Sequence, residues 1–520
     1  MKRSHNFWSG ASTRTAWLAA VVALLLSLPI YLSHNQHAWF YHVDEVSKVG
    51  QIQEGHRNLR HPVLMLEATK VLLCGKEDPA SQTVVEAGRT VTGIAAALAV
   101  AGGVWISAHL AGWLGASWAF LFLATMPELY RFARCFKEDT LLLASSVWVM
   151  VAAFSWWRNP NPRGLWLLGA SVGIAASTKY VGASLLVPVL LLVVVRVKGG
   201  SLRRIFVLLG MAVLTFALIN FRIWWDLPTF QFEVERELSY LVSGHHGMGK
   251  DVPHRFYYDY LEKHLAFPVW ILTVLGAGLL ARWARNTAWV WGAFLIWGML
   301  LAVVLSFLPK VAETYILPVS FLGLWCATLG VAGIVQGLRR LSTSGAGLAG
   351  LAAAAVLWWV WQPNLQRLQL EKNAFLDDHN VRLRDAVMQY VPPDAVVIQD
   401  LRGQLQFEHP VFPHWPYRVF VDRYAYEGFD LWRNSEPLDD IYLVVARPDY
   451  YRFIEGYRPA LDEGHERMSR GQKFYPALFE HGNLLFETMP GMNFYLQPGL
   501  RVYHVPKDKI HYLEATPGNF

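Results

Sequence analysis

Residues 15–33, TAWLAAVVALLLSLPIYLS, are followed by residues 41–48, YHVDEVSK, and the reading of this junction decides the fold. The first stretch carries no charge and is long enough to cross a hydrocarbon core of about 30 Å as a helix. Two adjacent carboxylates, Asp44 and Glu45, then stand at the mouth of a polar loop. Acid groups beside a membrane are costly unless they are used, so Asp44 is the leading catalytic candidate.

Outward from this junction the chain alternates apolar runs with short charged loops as far as Pro363. Apolar residues make up 54% of the chain and charged ones 17%, yet mean hydropathy is only +0.25. That average requires an oily region joined to a polar one. The expected architecture is mostly α, with about eleven transmembrane helices at roughly 15–33, 89–110, 112–130, 139–157, 165–182, 183–197, 205–225, 267–281, 287–308, 315–337 and 345–362. The run from 165 to 197 reads as one apolar segment interrupted by Lys179 and Pro188, and charge alternation alone divides it. Two domains follow: 1–362, a membrane domain with a catalytic outer loop at 34–88, and 363–520, a C-terminal extracytoplasmic mixed α/β domain.

Lys2, Arg3 and Arg14 precede the first span, which keeps the N-terminus in the cytoplasm. Arg158 and Arg163, Arg196 to Arg204, Arg282 and Arg285, and Arg339 and Arg340 fall on every second loop, and an odd number of spans puts the C-terminal region outside. A cleaved signal peptide is the other reading of the first span, although Ser27–Ser33 lacks a small-x-small cleavage site. The net charge of +6 belongs largely to the cytoplasmic loops, so it does not indicate a nucleic-acid partner. Tryptophans at 156–157, 224–225 and 358–361 form the aromatic belt of an integral protein. Cys74, Cys135 and Cys326 show no metal-binding spacing; Cys74 and Cys135 both fall on the outer side, as free thiols or as a pair.

In the C-terminal region Asp377-Asp378 offers an N-cap, and Leu383, Ala386, Val387 and Tyr390 recur at helical spacing until Pro392-Pro393. Short β-branched runs at Ala395–Gln399, Asp440–Ala446 and Leu500–Val505 read as strands.

Several stretches together resemble the protein O-mannosyltransferases and their bacterial relatives, including the aminoarabinose transferases that modify lipid A. They are VDEVSKVGQIQEGHRNLRHPVLMLEATKVLL (43–73), RFARCFKED (131–139), TKYVG (178–182), GHHGMGKDVPHRFYYDYL (244–261), KVAETYILP (310–318), DDHNVRLRDAVMQYVPPDAVVI (377–398) and GLRVYHV (499–505). No one of these is specific alone; their order along the chain carries the resemblance, which implies the C-type glycosyltransferase fold. It further implies transfer of a sugar from an undecaprenyl- or dolichyl-phosphate donor to a hydroxyl of a lipid, glycan or protein acceptor at the outer face. Asp44 is then the expected general base, with Glu45 and Asp139 the next carboxylates in line. Lys179, Arg131, Arg134, His245, His246 and Lys310 are the cations expected to meet the donor phosphate, and His61, Tyr257 and Tyr258 the residues expected to touch substrate.

Each of these residues also has a plainer reading. Asp139 before LLLASSVWVM suits a helix cap, Glu45 a solvated loop, and His61 a turn before Pro62. His245 and His246 in a Gly-rich stretch suit an exposed loop as well as a lid. Lys179, charged within an apolar segment, marks either a functional cavity or a side chain snorkelling to the interface. His61-Pro62-Val63-Leu64 departs from the His-Pro-Pro-Leu of the mannosyltransferases, which weakens the case for a protein Ser or Thr acceptor. A divalent metal is a further possibility, since some relatives bind one near the first carboxylates; Asp44, Glu45, Glu54, His56, His61 and Glu67 are the available ligands, although their spacing matches no defined site. Two other functions fit a polytopic chain: a transporter or flippase of lipid-linked sugar, and a non-catalytic envelope-assembly protein. A transporter predicts inverted repeats and charges deep in the spans, whereas here the charges gather on one face.

Overall fold

The computed structural model describes residues 11–37, 39, 41–196, 201–243, 253–264, 267–283, 287–309, 312–339, 345–436, 439–454, 463–491 and 496–514. The bundle begins with α1 (Thr13–Leu32), two short helices, α2 (Val43–Gln53) and α3 (Leu64–Leu72), and the long α4 (Ser81–Ala124). It continues with α5 (Pro127–Ala133), α6 (Asp139–Arg158), α7 (Pro162–Thr178), α8 (Leu186–Arg196), α9 (Ser201–Ile219), α10 (Leu227–Ser243) and α11 (Pro253–His264). Then come α12 (Phe267–Trp283), α13 (Ala288–Phe307), α14 (Leu317–Arg339), α15 (Gly345–Val356) and α16 (Gln362–Leu376).

Small residues set the packing. Ala16, Ala19, Ala20 and Ala23 form one buried stripe of α1 against α4, while Leu18, Leu25 and Leu26 of the same helix point outward. An apolar outer face with a small-residue inner face is what helices in lipid use to approach closely. The tightest crossing is α12 on α14, where a methyl group added at Gly276 would collide with the Cys326 carbonyl. Ser107 and Trp325 tie α4 to α14 through a 2.9 Å hydrogen bond from the indole N–H.

Among the described residues six helical runs are individually long and apolar enough to cross a membrane: Thr13–Leu32, Ser81–Ala124, Asp139–Arg158, Leu202–Ile219, Ala288–Phe307 and Glu313–Arg339. Tyr180–Arg196 and Pro268–Ala281 are shorter apolar helices. Of the eleven expected spans, 165–182, 183–197, 267–281 and 345–362 fall on helices shorter than these six, and 89–110 and 112–130 fall largely in one run. The runs at 89–110 and 112–130 lie mostly in α4, the second reaching into α5, and α4 breaks where they were divided, at Ala111 and Gly112; Gly112 has φ 63° and ψ −154°, a region almost closed to other residues. The apolar stretch from 165 to 197 divides at Lys179, which ends α7 in extended conformation and precedes a 3₁₀ turn at Tyr180–Leu185. The boundary expected at 362/363 falls inside a helical run that passes from α15 through a π-turn at Leu357–Trp361 into α16 without interruption. The loop expected at 34–88 is about half helical, containing α2, α3 and the start of α4.

The C-terminal region holds a five-stranded sheet of order β2-β1-β3-β5-β4, with β1 (Val396–Asp400), β2 (Arg418–Asp422), β3 (Ile441–Ala446), β4 (Asn483–Glu487) and β5 (Leu500–Val505). Strands β2, β1 and β3 are parallel, and β5 and β4 run antiparallel at the other side. Its helices are α17 (His379–Tyr390), α18 (Ala425–Ser435), α19 (Arg447–Ile454) and α20 (Glu463–His481). Strands β1 and β3 are buried at every position, as central parallel strands covered on both faces should be. Alternation divides their side chains between two cores: Ile398, Leu443 and Val445 pack with Phe429, Trp432 and Phe474, while Val397 and Val444 pack with Leu383 and Val387. Asp378 caps α17 by accepting the Asn380 N–H.

This region is tied to the 34–88 segment just ahead of the paired carboxylates. The Tyr41 N–H donates to Gln404 Oε1 at 2.7 Å, and the Gln404 amide donates back to the Tyr41 carbonyl. The Trp39 N–H donates to Asp378 Oδ2 at 2.9 Å. A side-chain amide pairing both backbone groups of Tyr41 acts like one rung of a sheet, and it fixes where α2 begins.

Candidate active site

His42 is the N-cap of α2, an unusual residue for that position. Its Nδ1 accepts the Asp44 N–H at 3.0 Å, while Glu45 Oε2 accepts the His42 N–H at 2.7 Å, so the first turn is closed by a reciprocal capping box. Glu45 is wholly buried and meets Arg89 of α4 in a two-pronged ion pair, with both N–O distances 2.9 Å. Its Oε1 also accepts the Phe136 N–H at 2.8 Å. Both carboxylate oxygens are thereby occupied, and one side chain fastens α2, α4 and the turn between α5 and α6 to each other. The adjacent residue, Asp44, is left on the opposite side of the turn with its side chain 45% exposed.

That exposed face opens into a cavity of about 400 Å³ between the bundle and the C-terminal region. Its walls carry Asp44, Lys48, His61, Lys137, Glu138 and Lys179 from the bundle, and Arg402, Arg423, Asp449 and Arg452 from the C-terminal region. With Arg60 and Glu237, seven cations face four carboxylates. Lys48 bonds Glu138 at 2.6 Å, Lys137 lies 3.0 Å from Asp44, and Arg60 is 3.0 Å from Glu237 on α10. Lys179 bonds Asp139 at 2.8 Å and sits over the Tyr315 ring at 4.7 Å from its centre. Arg402 pairs with Asp449 at 3.0 Å.

The charge states follow from these neighbours. Burial pulls the Asp44 carboxyl upward, but Lys137 foremost, with His42 and Lys48, outweighs it and holds the group well below the usual carboxylate range. Because His42 is itself neutral, the direction rests on Lys137; the helix N-terminus adds to it. Burial pushes His42 and His61 down to about 4. Both imidazoles are therefore neutral at pH 7, and the Nδ1 of His42 is committed to the Asp44 N–H.

The structure gathers some of the sequence candidates and disperses others. Asp44, His61 and Lys179 line the cavity together. Glu45 does not; its oxygens are consumed by Arg89 and two backbone N–H groups, which makes it a structural anchor and not a second base. Asp139 is the first residue of α6, buried beneath Lys179 and outside the cavity wall, where it holds the lysine; Glu138, not Asp139, is the N-cap. Arg131 and Arg134 also lie outside the wall. Arg131 is paired with Glu313 at 2.7 Å, and Arg134 donates to Asn35 at 2.7 Å and packs on Phe375. Tyr257 is buried in an apolar cluster with its hydroxyl accepting the Ala312 N–H, and Tyr258 is exposed on α11; neither reaches the cavity. His245, His246 and Lys310 lie outside the described residues.

The six candidate metal ligands do not converge. Glu45 belongs to Arg89, Glu67 is shared by Arg57 and Arg222, and among the described residues no three His, Cys, Asp or Glu side chains are placed to hold a metal ion. Cys74 is exposed and Cys135 buried, and each is a free thiol.

Lys48, Lys137 and Glu138 are cavity residues that the sequence reading overlooked, although a signal was present. Lys48 lies four residues after Asp44, on the same helical face, and Lys137-Glu138 directly precede Asp139. Arg402, Arg423 and Arg452 had no local signal, since their place depends on how the sheet is ordered.

A family model described as dolichyl-phosphate-mannose-protein mannosyltransferase matches residues 83–225, essentially α4 to α9. No curated protein sequence matches the chain. Among solved structures, ArnT from Cupriavidus metallidurans bound to undecaprenyl phosphate aligns with a TM-score of 0.52 at 15% identity, covering 95% of this chain and 98% of that one. The same protein in the apo state gives 0.52 at 14% identity, over 96% and 99%. The Archaeoglobus fulgidus oligosaccharyltransferase tethered to an acceptor peptide gives 0.49 at 11% identity, over 92% and 73%. The chain thus shares the fold of ArnT from end to end, the C-type glycosyltransferase fold that the sequence resemblance implied.

Substituting Glu45→Gln leaves the Arg89 guanidinium buried without a counter-charge. Breaking a buried pair from one side costs about 3–5 kcal/mol, so the variant should melt well below wild type in detergent, with Asp44→Asn, at the exposed neighbour, close to it. Equal melting of Glu45→Gln and wild type would show that the pair is not the anchor.

Proposed function

We propose that the protein is an inverting glycosyltransferase that moves a sugar from a polyprenyl-phosphate donor to an acceptor hydroxyl at the outer face of the membrane. The observation that carries this reading is a cavity in which Asp44, its side chain partly exposed, stands among cations that outnumber the carboxylates, at the ends of apolar helices. Its fold-mate ArnT, which has been captured with undecaprenyl phosphate, supports a lipid phosphate as the donor.

The acceptor oxygen attacks the anomeric carbon, the carbon–oxygen bond to the phosphate breaks, and the hydroxyl proton passes to an Asp44 oxygen. A phosphate ester is a good leaving group, so no acid partner is needed, unlike glycoside hydrolysis with its two carboxyl groups. Charge builds on the departing phosphate, and preorganised cations stabilise it in the transition state. We assign that role to Lys48 and Lys179, each paired with a carboxylate, and to Arg60, all at the cavity wall. Lys137 keeps Asp44 ionised. The N-terminus is assigned to the cytoplasm and residues 363–520 to the outer side, in a bacterial plasma membrane.

Asp44→Asn should lower turnover by about two to four orders of magnitude while donor affinity stays near wild type. Lys179→Met should instead weaken donor affinity, because its contact exists before as well as during phosphate departure. Near-normal turnover of Asp44→Asn on labelled donor would place the base elsewhere, and movement of label across the membrane without a change of attachment would identify a transporter.

The pH profile has a definite sign. With Asp44 depressed and both histidines neutral above about 4, kcat/KM should be flat near the free-imidazole value of about 6.5. The base form of Asp44 is lost only as the pH falls through its lowered value. Lys137→Met lets the carboxyl rise, so the acid limb should move to higher pH; an unmoved limb would reject Lys137 as its partner.

Topology is tested by fusions. A reporter joined after residue 340 should read out as cytoplasmic and one at the C-terminus as extracytoplasmic. A cytoplasmic C-terminus would overturn the assignment, because the cavity would then open to the wrong side.

A further inference from the structure

The tail's contribution to the cavity comes from one particular part of its sheet. Arg402 follows the carboxyl end of β1, Arg423 follows that of β2, and Asp449 and Arg452 lie in α19, directly after β3. In the order β2-β1-β3 the chain leaves β1 to one side and later returns to the other, so the gap between β1 and β3 is a topological switch point. Crevices at the carboxyl ends of parallel strands, at such a point, are where open α/β sheets bind ligands.

The crevice is built rigidly. Asp400 accepts the Arg402 N–H at 2.9 Å and the Ala446 N–H at 2.6 Å, which clamps the loop after β1 to the end of β3. Arg402 is 4% exposed, its Nε pairs with Asp449, and its Nη1 is buried with no hydrogen-bond partner among the described residues. A buried guanidinium with an idle N–H is unfavourable unless a ligand completes it. Its planar fork suits the paired oxygens of a phosphate or carboxylate. Arg423 is exposed and Arg452 half-buried on the same wall.

We propose that Arg402, Arg423 and Arg452 form an acceptor-binding wall that recognises a phosphate or carboxylate group on the acceptor. This rests on the glycosyltransferase reading above and names the class of its second substrate. The donor phosphate is served by lysines of the bundle, where a lipid-borne group can reach them. The arginines come from the tail, the wall from which a substrate arriving from solution or the outer leaflet approaches Asp44. In-line displacement needs the acceptor on the side of the sugar away from the leaving phosphate, so separate cation sets for the two substrates fit the chemistry.

The test uses the full chain in nanodiscs saturated with undecaprenyl phosphate, which occupies the donor clamp. Dissociation constants for glucose 6-phosphate, glucuronate and glucose are measured by saturation-transfer NMR. At least one anionic sugar should bind tenfold or more tightly than glucose, and which one does so separates a phosphate-bearing from a carboxylate-bearing acceptor. Arg402→Gln should abolish that preference, as should the double variant Arg423→Gln/Arg452→Gln, while undecaprenyl phosphate affinity stays within twofold. The double variant leaves the buried pair intact, so it decides the matter even if Arg402→Gln does not fold. Equal binding of glucose and both anions, or a preference that survives in the double variant, would overturn the proposal. Failure of wild type to bind undecaprenyl phosphate would count against the donor reading instead, and the anion preference of the tail would still be measurable.

Discussion

The buried ion pair between Glu45 and Arg89 is the constraint on which the cavity depends. One carboxylate caps its own helix, grips α4, and receives the backbone of Phe136. Two segments that carry charged residues of the cavity are thereby fixed on α4 as their common support: α2 with Asp44 and Lys48, and the turn with Lys137 and Glu138. A pair of this kind is not a generous source of net stability, since desolvation offsets much of its attraction. Its value is geometric, because neither partner can move without leaving a charge stranded in a dry interior.

From that anchor, five of the seven cavity cations are each held by a carboxylate, Lys137 by Asp44 among them. Lys48 leans on Glu138, Lys179 on Asp139, Arg60 on Glu237 and Arg402 on Asp449. The carboxylates lower the cost of holding cations near an apolar bundle, yet they are fewer than the cations, which leaves the cavity electropositive. The break in the apolar run at Lys179 has the same origin: α7 ends where its lysine must turn toward Asp139, and the chain resumes as a 3₁₀ turn. The tail then closes the space through the Gln404 pairing with Tyr41.

How much of this was legible varied with the range of the signal. The strands at 395–399, 440–446 and 500–505 stood out as buried β-branched runs and appear within a residue of those limits. Strands β2 and β4 did not, since RVFVD and NLLFE are short edge strands, partly exposed, with no sustained alternation. The apolar runs were visible from hydropathy, and the division expected between 110 and 112 coincides with the break in α4; the run of α15 into α16 was not visible, because helix continuity depends on backbone angles and packing that composition does not encode. Of the candidate site residues, Asp44, His61 and Lys179 share a cavity, whereas Glu45, Arg131 and Arg134 each found a side-chain partner elsewhere. A charge near a span end looks the same in sequence whether it meets a ligand or another side chain.

The sequence by itself determined that this is a polytopic helical chain with a mixed α/β tail, and that an acid pair follows the first apolar run. Those properties reside in composition and periodicity, which local segments carry alone. Only the tertiary structure decided which acid faces the cavity. Asp44 and Glu45 are neighbours with the same chemistry, and one residue of helical rotation, about 100°, sends one into a buried ion pair and the other toward the open space. The tail's arginines were decided in the same way, by a strand order that places the ends of β1, β2 and β3 against the bundle.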